Sequence, residues 1–159
     1  MPDFHQPILL PTLHHLADTG IEEREALLER FSKEKPVALV IPALFAELRG
    51  RALPRMLEQL ARARYVKRAV ISMNGMDASQ HRRALRFFKS RLEGVPHTVL
   101  WNDGPRLDAL HLEVDALTGG NHTHGKGANV WMGIAHLLAA GHRGVIACHD
   151  SDILNYDRE

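Results

Sequence analysis

The chain has 159 residues, of which 45% are hydrophobic, and this length predicts a single domain, since domains typically contain about 100 to 150 residues. Lys and Arg total 20 against 19 for Asp and Glu, so the chain lacks the basic excess that a nucleic-acid surface requires. The single cysteine excludes an internal disulfide, and no apolar run reaches the roughly 18 to 20 residues that a membrane span requires. The sequence also lacks a signal-peptide pattern, so we expect a soluble, cytoplasmic protein.

The first 35 residues are predicted to form a helical extension that precedes the domain. Residues 8–13 are apolar, and residues 21–31 have the spacing of an amphipathic helix. Leu27, Leu28 and Phe31 fall on one side of that helix, so we expect it to pack on the outside of the core. The domain itself is predicted to cover residues 36–159.

Four short apolar segments are predicted as strands, with helical patterns between them. The strands are residues 37–41, 69–73, 97–101 and 144–148. The helices are residues 51–63, 78–92, 105–117 and 128–140, with a glycine-rich loop at 119–127. Alternation of strand and helix with right-handed crossovers predicts an α/β fold, in which helices flank a Rossmann-like, mainly parallel sheet.

Polar residues follow each predicted strand, at residues 43–47, 72–77, 102–103 and 150–152. In open parallel sheets, ligands bind beyond the carboxyl ends of the strands, near the point where the strand order reverses. Because all four polar segments lie at that edge of the predicted sheet, the sequence predicts a ligand site there.

The strongest candidate at that edge is Asp150-Ser151-Asp152, which places two carboxylates two residues apart after a buried strand. Mg²⁺ and Mn²⁺ prefer such oxygen ligands, and one or two carboxylates together with phosphate oxygens commonly coordinate them. The motif therefore predicts a site for a diphosphate and a divalent metal, with Asp150 and Asp152 as metal ligands. A turn cap without any ligand is the alternative for this triplet.

Gly125-Lys126-Gly127 precedes a predicted helix, so backbone amides and the Lys126 ammonium are available to an anion. A flexible loop without a ligand is one alternative. Another is the P-loop of a phosphotransferase, because residues 120–126 fit the pattern G-x-x-x-x-G-K. Gly127 stands where that pattern needs Ser or Thr, and a predicted helix precedes the segment, so the P-loop is disfavoured.

Several other side chains are expected to have structural roles. His122 and His124 lack further ligands at zinc spacing, so we expect solvated loop histidines. Cys148 continues an apolar strand and is predicted to be buried and inert, and Trp131 is predicted on the inward face of its helix.

Glu47 follows the first strand and has two possible roles. It either accepts a hydrogen bond from a base or ribose hydroxyl, or it lies in the first helical turn and complements the helix dipole.

Three segments taken together resemble one family. Residues 40–44 read Val-Ile-Pro-Ala-Leu, residues 124–131 read His-Gly-Lys-Gly-Ala-Asn-Val-Trp, and residues 145–155 contain Asp-Ser-Asp-Ile-Leu-Asn. In this order they are similar to the V-I-P-A-L-N-E-E, P-G-K-G-x-x-L-W and D-S-D-L-x-N stretches of retaining glycosyltransferases with the GT-A fold. Within that family the resemblance is to the glucosyl-3-phosphoglycerate and mannosylglycerate synthases, and it covers residues 37–155.

The resemblance implies transfer of a hexose from a nucleoside-diphosphate sugar to a small acceptor such as 3-phosphoglycerate or glycerate, with retention at the anomeric carbon. It implies a base pocket at Pro42, Ala43 and Leu44, and Lys126 near the base and phosphates. Asp150 would contact the ribose or sugar, and Asp152 would bind Mg²⁺ or Mn²⁺, which neutralises charge on the leaving diphosphate. The nucleotide-sugar contacts then comprise Pro42, Ala43, Leu44, Glu47, Ser72, Lys126, Asp150 and Ser151. No catalytic residue follows from the resemblance.

The sequence departs from the family pattern in three places. Phe45-Ala46 replaces Asn-Glu, and residues 72–75 read Ser-Met-Asn-Gly where an Asp-Ser-Gly-Ser turn is common, so UDP- and GDP-linked donors both stay open. The chain ends at Glu159, before the acceptor-binding half and its metal-ligating histidine. We therefore expect a nucleotide-sugar-binding fragment that does not complete the transfer alone. A non-catalytic nucleotide-binding module is the alternative, and a homo-oligomer stays open.

Overall fold

The computed structural model describes residues 20–120 and 125–157 of the chain. Its elements in chain order are α1 (Ile21–Glu34), β1 (Val37–Leu44), a 3-10 turn (Phe45–Arg49), α2 (Ala52–Leu60), β2 (Val66–Asn74), α3 (Ala78–Arg91), β3 (His97–Trp101), α4 (Pro105–Thr118), α5 (Lys126–Ala139) and β4 (Val145–Cys148). None of the helices in these two ranges is long and apolar enough to cross a membrane.

The four strands form one parallel sheet in the order β3-β2-β1-β4. Leu39 in β1 pairs with Ala69 of β2 on one side and with Ala147 of β4 on the other. The chain builds outward from β1 through β2 to β3, and then crosses back to add β4 beside β1. The predicted α/β fold with a parallel sheet is confirmed, and the strand order reverses between β1 and β4.

Helices cover both faces of the two central strands. On one face, Leu53 and Met56 of α2 and Phe88 of α3 are fully buried in the main apolar cluster. On the other face, Leu137 of α5 is buried in a smaller cluster with Val40 of β1. The apolar runs of β1 and β2 therefore contact a layer of side chains on each face, as strands inside a parallel sheet require.

Helix α5 lies directly on β1 because Gly133 has no side chain at their contact. A methyl group added at Gly133 would lie 2.5 Å from Cγ1 of Val40. Nothing larger than hydrogen therefore fits between helix and strand without a shift of one of them. This close approach sets the position of α5 above the sheet, and with it the position of the helix N-terminus.

Local signals define where several helices begin and end. Asp77 caps α3, since its Oδ1 accepts the backbone N–H of Gln80 at 2.8 Å while the Gln80 side chain accepts the N–H of Asp77 at 3.0 Å. Gly119 ends α4 with a φ of 66°, which glycine adopts without strain. The observed helix bounds therefore stay within a few residues of the predicted ones.

The predicted packing of α1 is wrong. Leu27, Leu28 and Phe31 are 50%, 39% and 47% exposed, so the apolar side of the helix does not face the core. The acidic side, which includes Glu29, instead lines a gap together with Arg62 in the turn after α2. Helix α1 thus presents charged groups, and not its apolar side, to the rest of the domain.

Two side chains that were predicted as buried are exposed. Trp131 is 53% exposed, because α5 buries the neighbouring Met132 and Gly133 instead. Cys148 is an exposed free cysteine, because β4 is an edge strand whose side chains are at most partly covered by the described residues. The Trp131 prediction chose the wrong face of its helix, and the Cys148 prediction assumed a strand covered on both faces, which holds for β1 but not for β4.

Candidate functional site

A cleft of about 450 Å³ opens where β1 and β4 end, at the reversal of the strand order. Four separate segments supply its walls: the end of β1 with the following turn, the end of β2, the start of α5, and the loop after β4. The lining residues are Pro42, Ala43, Leu44, Glu47, Asn74, Gly125, Lys126, Asn129, Ser151 and Asp152. The predicted ligand-binding edge of the sheet therefore carries a cleft built from distant parts of the sequence.

Ser151 ties the loop after β4 to the end of β1. The residue is 4% exposed, and its hydroxyl oxygen lies 2.7 Å from the carbonyl oxygen of Pro42 and 2.5 Å from Oε2 of Glu47. The same Oε2 accepts the backbone N–H of Leu44 at 3.0 Å. A serine hydroxyl has one proton to donate, so the carbonyl and the carboxylate share it. These contacts fix the Asp150-Ser151-Asp152 turn against β1.

Lys126 and Asp150 form an ion pair beside the cleft. The Nζ of Lys126 lies 2.7 Å from Oδ2 of Asp150, and the two side chains are 60% and 48% exposed. The hydrogen bond to Asp150, together with the negative charges of Asp150, Asp152 and Glu47, raises the pKa of Lys126 above its ordinary value. The ammonium therefore stays charged at neutral pH and lies in the field of three carboxylates.

The cleft also contains the N-terminus of α5. Gly125 is the N-cap residue, and its carbonyl accepts the N–H of Asn129 at 2.9 Å. The Gly125 cap supplies no side-chain hydrogen bond, and the first N–H groups of a helix have no acceptor within it. These N–H groups and the positive end of the helix dipole therefore offer a site for an anion beside Lys126.

A buried chain of amides lies beneath the cleft. Nδ2 of Asn102 donates to Oγ of Ser72 at 2.9 Å and to Oδ1 of Asn129 at 2.6 Å. Nδ2 of Asn129 donates to Oδ1 of Asn74 at 3.3 Å. All four residues are at most 8% exposed, so these bonds form away from bulk water. The network joins the ends of β2 and β3 to the first turn of α5, and it fixes Asn74 and Asn129 in the cleft wall.

His149, the residue before the carboxylate motif, is held by two contacts. Its Nδ1 lies 2.5 Å from the hydroxyl oxygen of Tyr156, and its backbone N–H donates to the carbonyl of Val40 at 3.0 Å. Burial lowers the pKa of His149, while the charge of Asp150 acts in the opposite direction. Burial and the neighbouring Tyr65 raise the pKa of Tyr156 to about 12. The two rings therefore meet as neutral groups at pH 7.

Most of the predicted site residues line the cleft. Those that do so are Pro42, Ala43, Leu44, Glu47, Lys126, Ser151 and Asp152. Asp150 contacts the cleft through its ion pair with Lys126. Ser72 is fully buried below the cleft, where it accepts a hydrogen bond from Asn102, and it is not part of the lining. The roles of these residues in binding a nucleotide sugar stay predictions.

Sequence reasoning did not single out Asn74 or Asn129 as site residues. Asn74 belongs to the polar segment after the second predicted strand, and Asn129 lies in the first helical turn after Gly125-Lys126-Gly127. These positions are the signals that point to them. Neither forms a motif with its sequence neighbours. Their hydrogen-bond partners are distant in the sequence, so only the folded chain shows that they lie together.

The metal prediction rests on two carboxylates. Within residues 20–120 and 125–157, no three His, Cys, Asp or Glu side chains come together as a metal site. His122 and His124 lie outside the described residues. Asp150 and Asp152 fit a Mg²⁺ or Mn²⁺ ion that takes its remaining ligands from phosphate oxygens and water, as these ions commonly do. They do not fit a metal held by protein ligands alone.

The P-loop alternative does not fit the fold. A P-loop connects a strand to a helix. Here the helix α4 ends at Thr118, just before the segment of residues 120–126 that matches the pattern. The backbone that leads into the segment is therefore a helix and not the strand that a P-loop requires, which argues against a phosphotransferase.

The fold and the cleft define a Rossmann-like α/β domain with a polar site at the switch point of its sheet. Over all 159 of its residues, the chain is 33% identical to glucosyl-3-phosphoglycerate synthase from Persephonella marina. The chain spans 39% of the length of that protein. No family model matches the chain. The resemblance that three motifs predicted is thereby confirmed over the whole chain.

Proposed function

We propose that the chain is the donor-binding part of a metal-dependent glycosyltransferase and that it holds a nucleoside-diphosphate sugar in the cleft. The observation that carries the proposal is the juxtaposition of opposite charges at the strand-order reversal. A helix N-terminus with Lys126 faces Asp152 across one cleft, and Asp150 is paired with Lys126. A diphosphate with a divalent metal has the matching chemistry, since its oxygens suit the helix end and its metal suits the carboxylates.

The apolar end of β1 is the proposed place for the nucleobase. Pro42 and Ala43 are buried in the cleft wall, and Leu44 is 51% exposed, which leaves an apolar side chain free to contact a base. Asn74 and Asn129 add amides in the same wall. Oε2 of Glu47 accepts hydrogen bonds from Ser151 and Leu44, and its Oε1 could accept one from a ribose hydroxyl. UDP- and GDP-linked donors both suit this arrangement.

The diphosphate is proposed to lie on the first turn of α5. The N–H groups of that turn and the Lys126 ammonium would contact its oxygens, while Asp150 and Asp152 would hold the metal. When bound, the metal supplies positive charge that stabilises the leaving diphosphate. The protein groups contribute by fixing the diphosphate, because the helix N-terminus and the Ser151 turn are in place before the ligand arrives.

The sugar and the acceptor are proposed from the relative. Its name, glucosyl-3-phosphoglycerate synthase, supports transfer of a hexose to a small phosphorylated acceptor such as 3-phosphoglycerate, and the GT-A resemblance supports retention at the anomeric carbon. Because the chain spans 39% of that relative, these proposals concern the whole enzyme of which the donor-binding part is one portion.

An Asp152→Asn variant tests the proposal. It keeps the size of the side chain and removes one carboxylate from the cleft, so the gain in nucleoside-diphosphate affinity on adding Mn²⁺ should fall by about tenfold or more. Asp152 is exposed, so the fold should be unaffected. Isothermal titration calorimetry with UDP and GDP, with and without Mn²⁺, measures this gain.

Glu93→Gln is the matched control. Glu93 is an exposed carboxylate in the turn between α3 and β3, away from the cleft residues, so its loss removes the same charge without touching the site. The control should bind as the unchanged protein does. An Asp152→Asn protein that keeps the full effect of Mn²⁺ would show that the metal does not bind at this carboxylate.

A further inference from the structure

Lys126 lies where the carboxylates of the cleft concentrate negative charge. Its Nζ is 2.7 Å from Oδ2 of Asp150, and the charges of Asp152 and Glu47 also act on it. The proposed metal would bind to Asp150 and Asp152, so a protein cation and the metal depend on the same two side chains. Lys126 and the metal would therefore compete for the carboxylates of Asp150 and Asp152.

We propose that Lys126 is the internal counter-cation of Asp150 and Asp152, and that it must leave them for the diphosphate when a divalent metal binds. The inference rests on the proposed function, because the diphosphate is the anion to which the ammonium moves. Lys126 then disfavours metal binding to the nucleotide-free protein and no longer competes with the metal once nucleotide is present.

The ion pair is suited to such a move. The two side chains are 60% and 48% exposed, and ion pairs between solvent-exposed groups contribute little to stability, so separating them is easy. The lysine side chain is long and flexible, and its ammonium has no fixed geometry to satisfy. Asp150, in contrast, follows directly on His149, whose backbone is bonded to β1. Lys126 is therefore the partner that moves.

The destination is one helical turn away at most. Lys126 is the first residue of α5, and the N–H groups of the same turn form the proposed phosphate site. A diphosphate held there offers the ammonium new oxygen partners. Its negative charge also compensates the metal, so departure of Lys126 and arrival of the metal support each other.

The proposal predicts reciprocal coupling between nucleotide and metal. A nucleoside diphosphate should tighten Mn²⁺ binding, both because its oxygens ligate the metal and because it removes the competing ammonium. By thermodynamic linkage, Mn²⁺ should tighten nucleotide binding by the same factor. Only the second contribution depends on Lys126, so removal of this ammonium separates the two.

The decisive experiment titrates Mn²⁺ into the nucleotide-free chain and follows bound Mn²⁺ by electron paramagnetic resonance. Lys126→Met removes the ammonium and keeps the length of the side chain. For a single charge about 5 Å from a divalent ion in water with salt, the expected result is Mn²⁺ binding roughly threefold to tenfold tighter than in the unchanged protein. Lys126 is exposed, so the variant should fold, which circular dichroism checks.

Lys89→Met is the control, since Lys89 is an exposed lysine of α3 that is absent from the cleft lining. It should bind Mn²⁺ as the unchanged protein does. Equal or weaker Mn²⁺ binding by Lys126→Met, including no binding by either protein, would overturn the inference. This failure differs from failure of the proposed function, which would show as no binding of UDP or GDP to the unchanged chain in the presence of Mn²⁺.

A second titration, with UDP added, measures the coupling. The factor by which UDP tightens Mn²⁺ binding should be smaller in Lys126→Met than in the unchanged protein, because the variant has no ammonium to displace. The same coupling factor in both proteins would also overturn the inference, since it would assign the whole effect to direct contacts between phosphate and metal.

Discussion

Strands β1 and β4 form the two sides of the cleft, but the protein supports them very differently. Seven of the eight residues of β1 are buried, and the strand has a partner strand on each side. Strand β4 has four residues, none of them fully buried, and its outer edge has no partner strand among the described residues. Pro42, Ala43 and Leu44 therefore belong to a buried central strand, whereas Asp150 and Asp152 follow a short, partly exposed edge strand.

Because β4 has so little support, the geometry of the carboxylates depends on a few specific contacts. Strand β4 is held to β1 by its ladder and by the bond from Val145 to the carbonyl of Pro36. Beyond the strand, the bond from His149 to Val40 and the contacts of Ser151 continue the attachment. Changes in these contacts should therefore disturb the site more than changes of similar size elsewhere.

The largest effect is expected from Gly144→Ala, which should separate β4 from β1. A methyl group at Gly144 would lie 1.8 Å from the carbonyl oxygen of Pro36, which is a backbone atom and cannot move alone. We expect the free energy of unfolding, measured by urea denaturation, to fall by roughly 2 to 3 kcal/mol. Gly127→Ala is the control, because no atom outside the chain neighbours and the backbone of α5 lies within 4 Å of the added methyl group. A Gly144→Ala protein as stable as the control would contradict the account of β4.

Ser151→Ala should have a smaller effect on stability and a clear one on binding. It removes the hydroxyl that joins Pro42 and Glu47 to the carboxylate loop, at a cost of about 1 kcal/mol in unfolding free energy. The loosened loop should weaken Mn²⁺-dependent binding of UDP or GDP by roughly fivefold, measured by calorimetry. Ser90→Ala removes an exposed hydroxyl that bonds only within α3, and it should leave both quantities unchanged. Equal effects of the two substitutions would show that Ser151 does not position the carboxylate loop.

The smallest effect is expected away from both strands, at His81 in the first turn of α3, whose ring lies 5.1 Å from the ring of Trp101 at the end of β3. Burial, together with the charge of Arg82, lowers the pKa of His81 below its ordinary value of 6.5 in the unfolded chain. The unfolded state then binds more protons, so stability is fully present above pH 6.5 and is lost as pH falls through the lowered pKa. His81→Gln should therefore lose less stability than the unchanged protein between pH 7 and pH 5.

The pKa values of His136 and His149 are lowered as well, mainly by burial, so part of the pH dependence should remain in His81→Gln. Urea denaturation at several pH values measures it. An unchanged slope in the variant would mean that His81 does not differ between the folded and unfolded chains.

Much of the fold could be predicted because continuous apolar runs and helical spacing are local properties. The third strand, His97–Trp101, agrees residue for residue with its prediction. The parallel direction of the strands follows from their alternation with helices along the chain. The bounds of β1 and β2 are longer than predicted, since pairing between the two strands continues through Pro42 of β1 and Arg68 of β2, which the predicted apolar runs did not include. The position of β4 beside β1 is likewise a property of the whole sheet.

The site residues that lie in short motifs of charged residues and glycine could be predicted from the sequence. The buried polar residues that position them could not. Lys126 and Asp152 stand out in the sequence, and the structure brings both to one cleft. Asn102 has no motif, yet its amide connects Ser72 to Asn129 because the ends of β2, β3 and α5 meet. Exposure at the β4 edge was misjudged for a related reason, since cover depends on which elements lie outside a strand.

Calorimetric titration of UDP and GDP into the unchanged chain, with and without Mn²⁺, measures whether the cleft binds a nucleoside diphosphate together with a metal. If the cleft between β1 and β4 holds a diphosphate with its metal, at least one of the two nucleotides should bind in the presence of Mn²⁺ and lose most of its affinity when the metal is removed. Binding that is indifferent to Mn²⁺, or no binding of either nucleotide, would contradict the account.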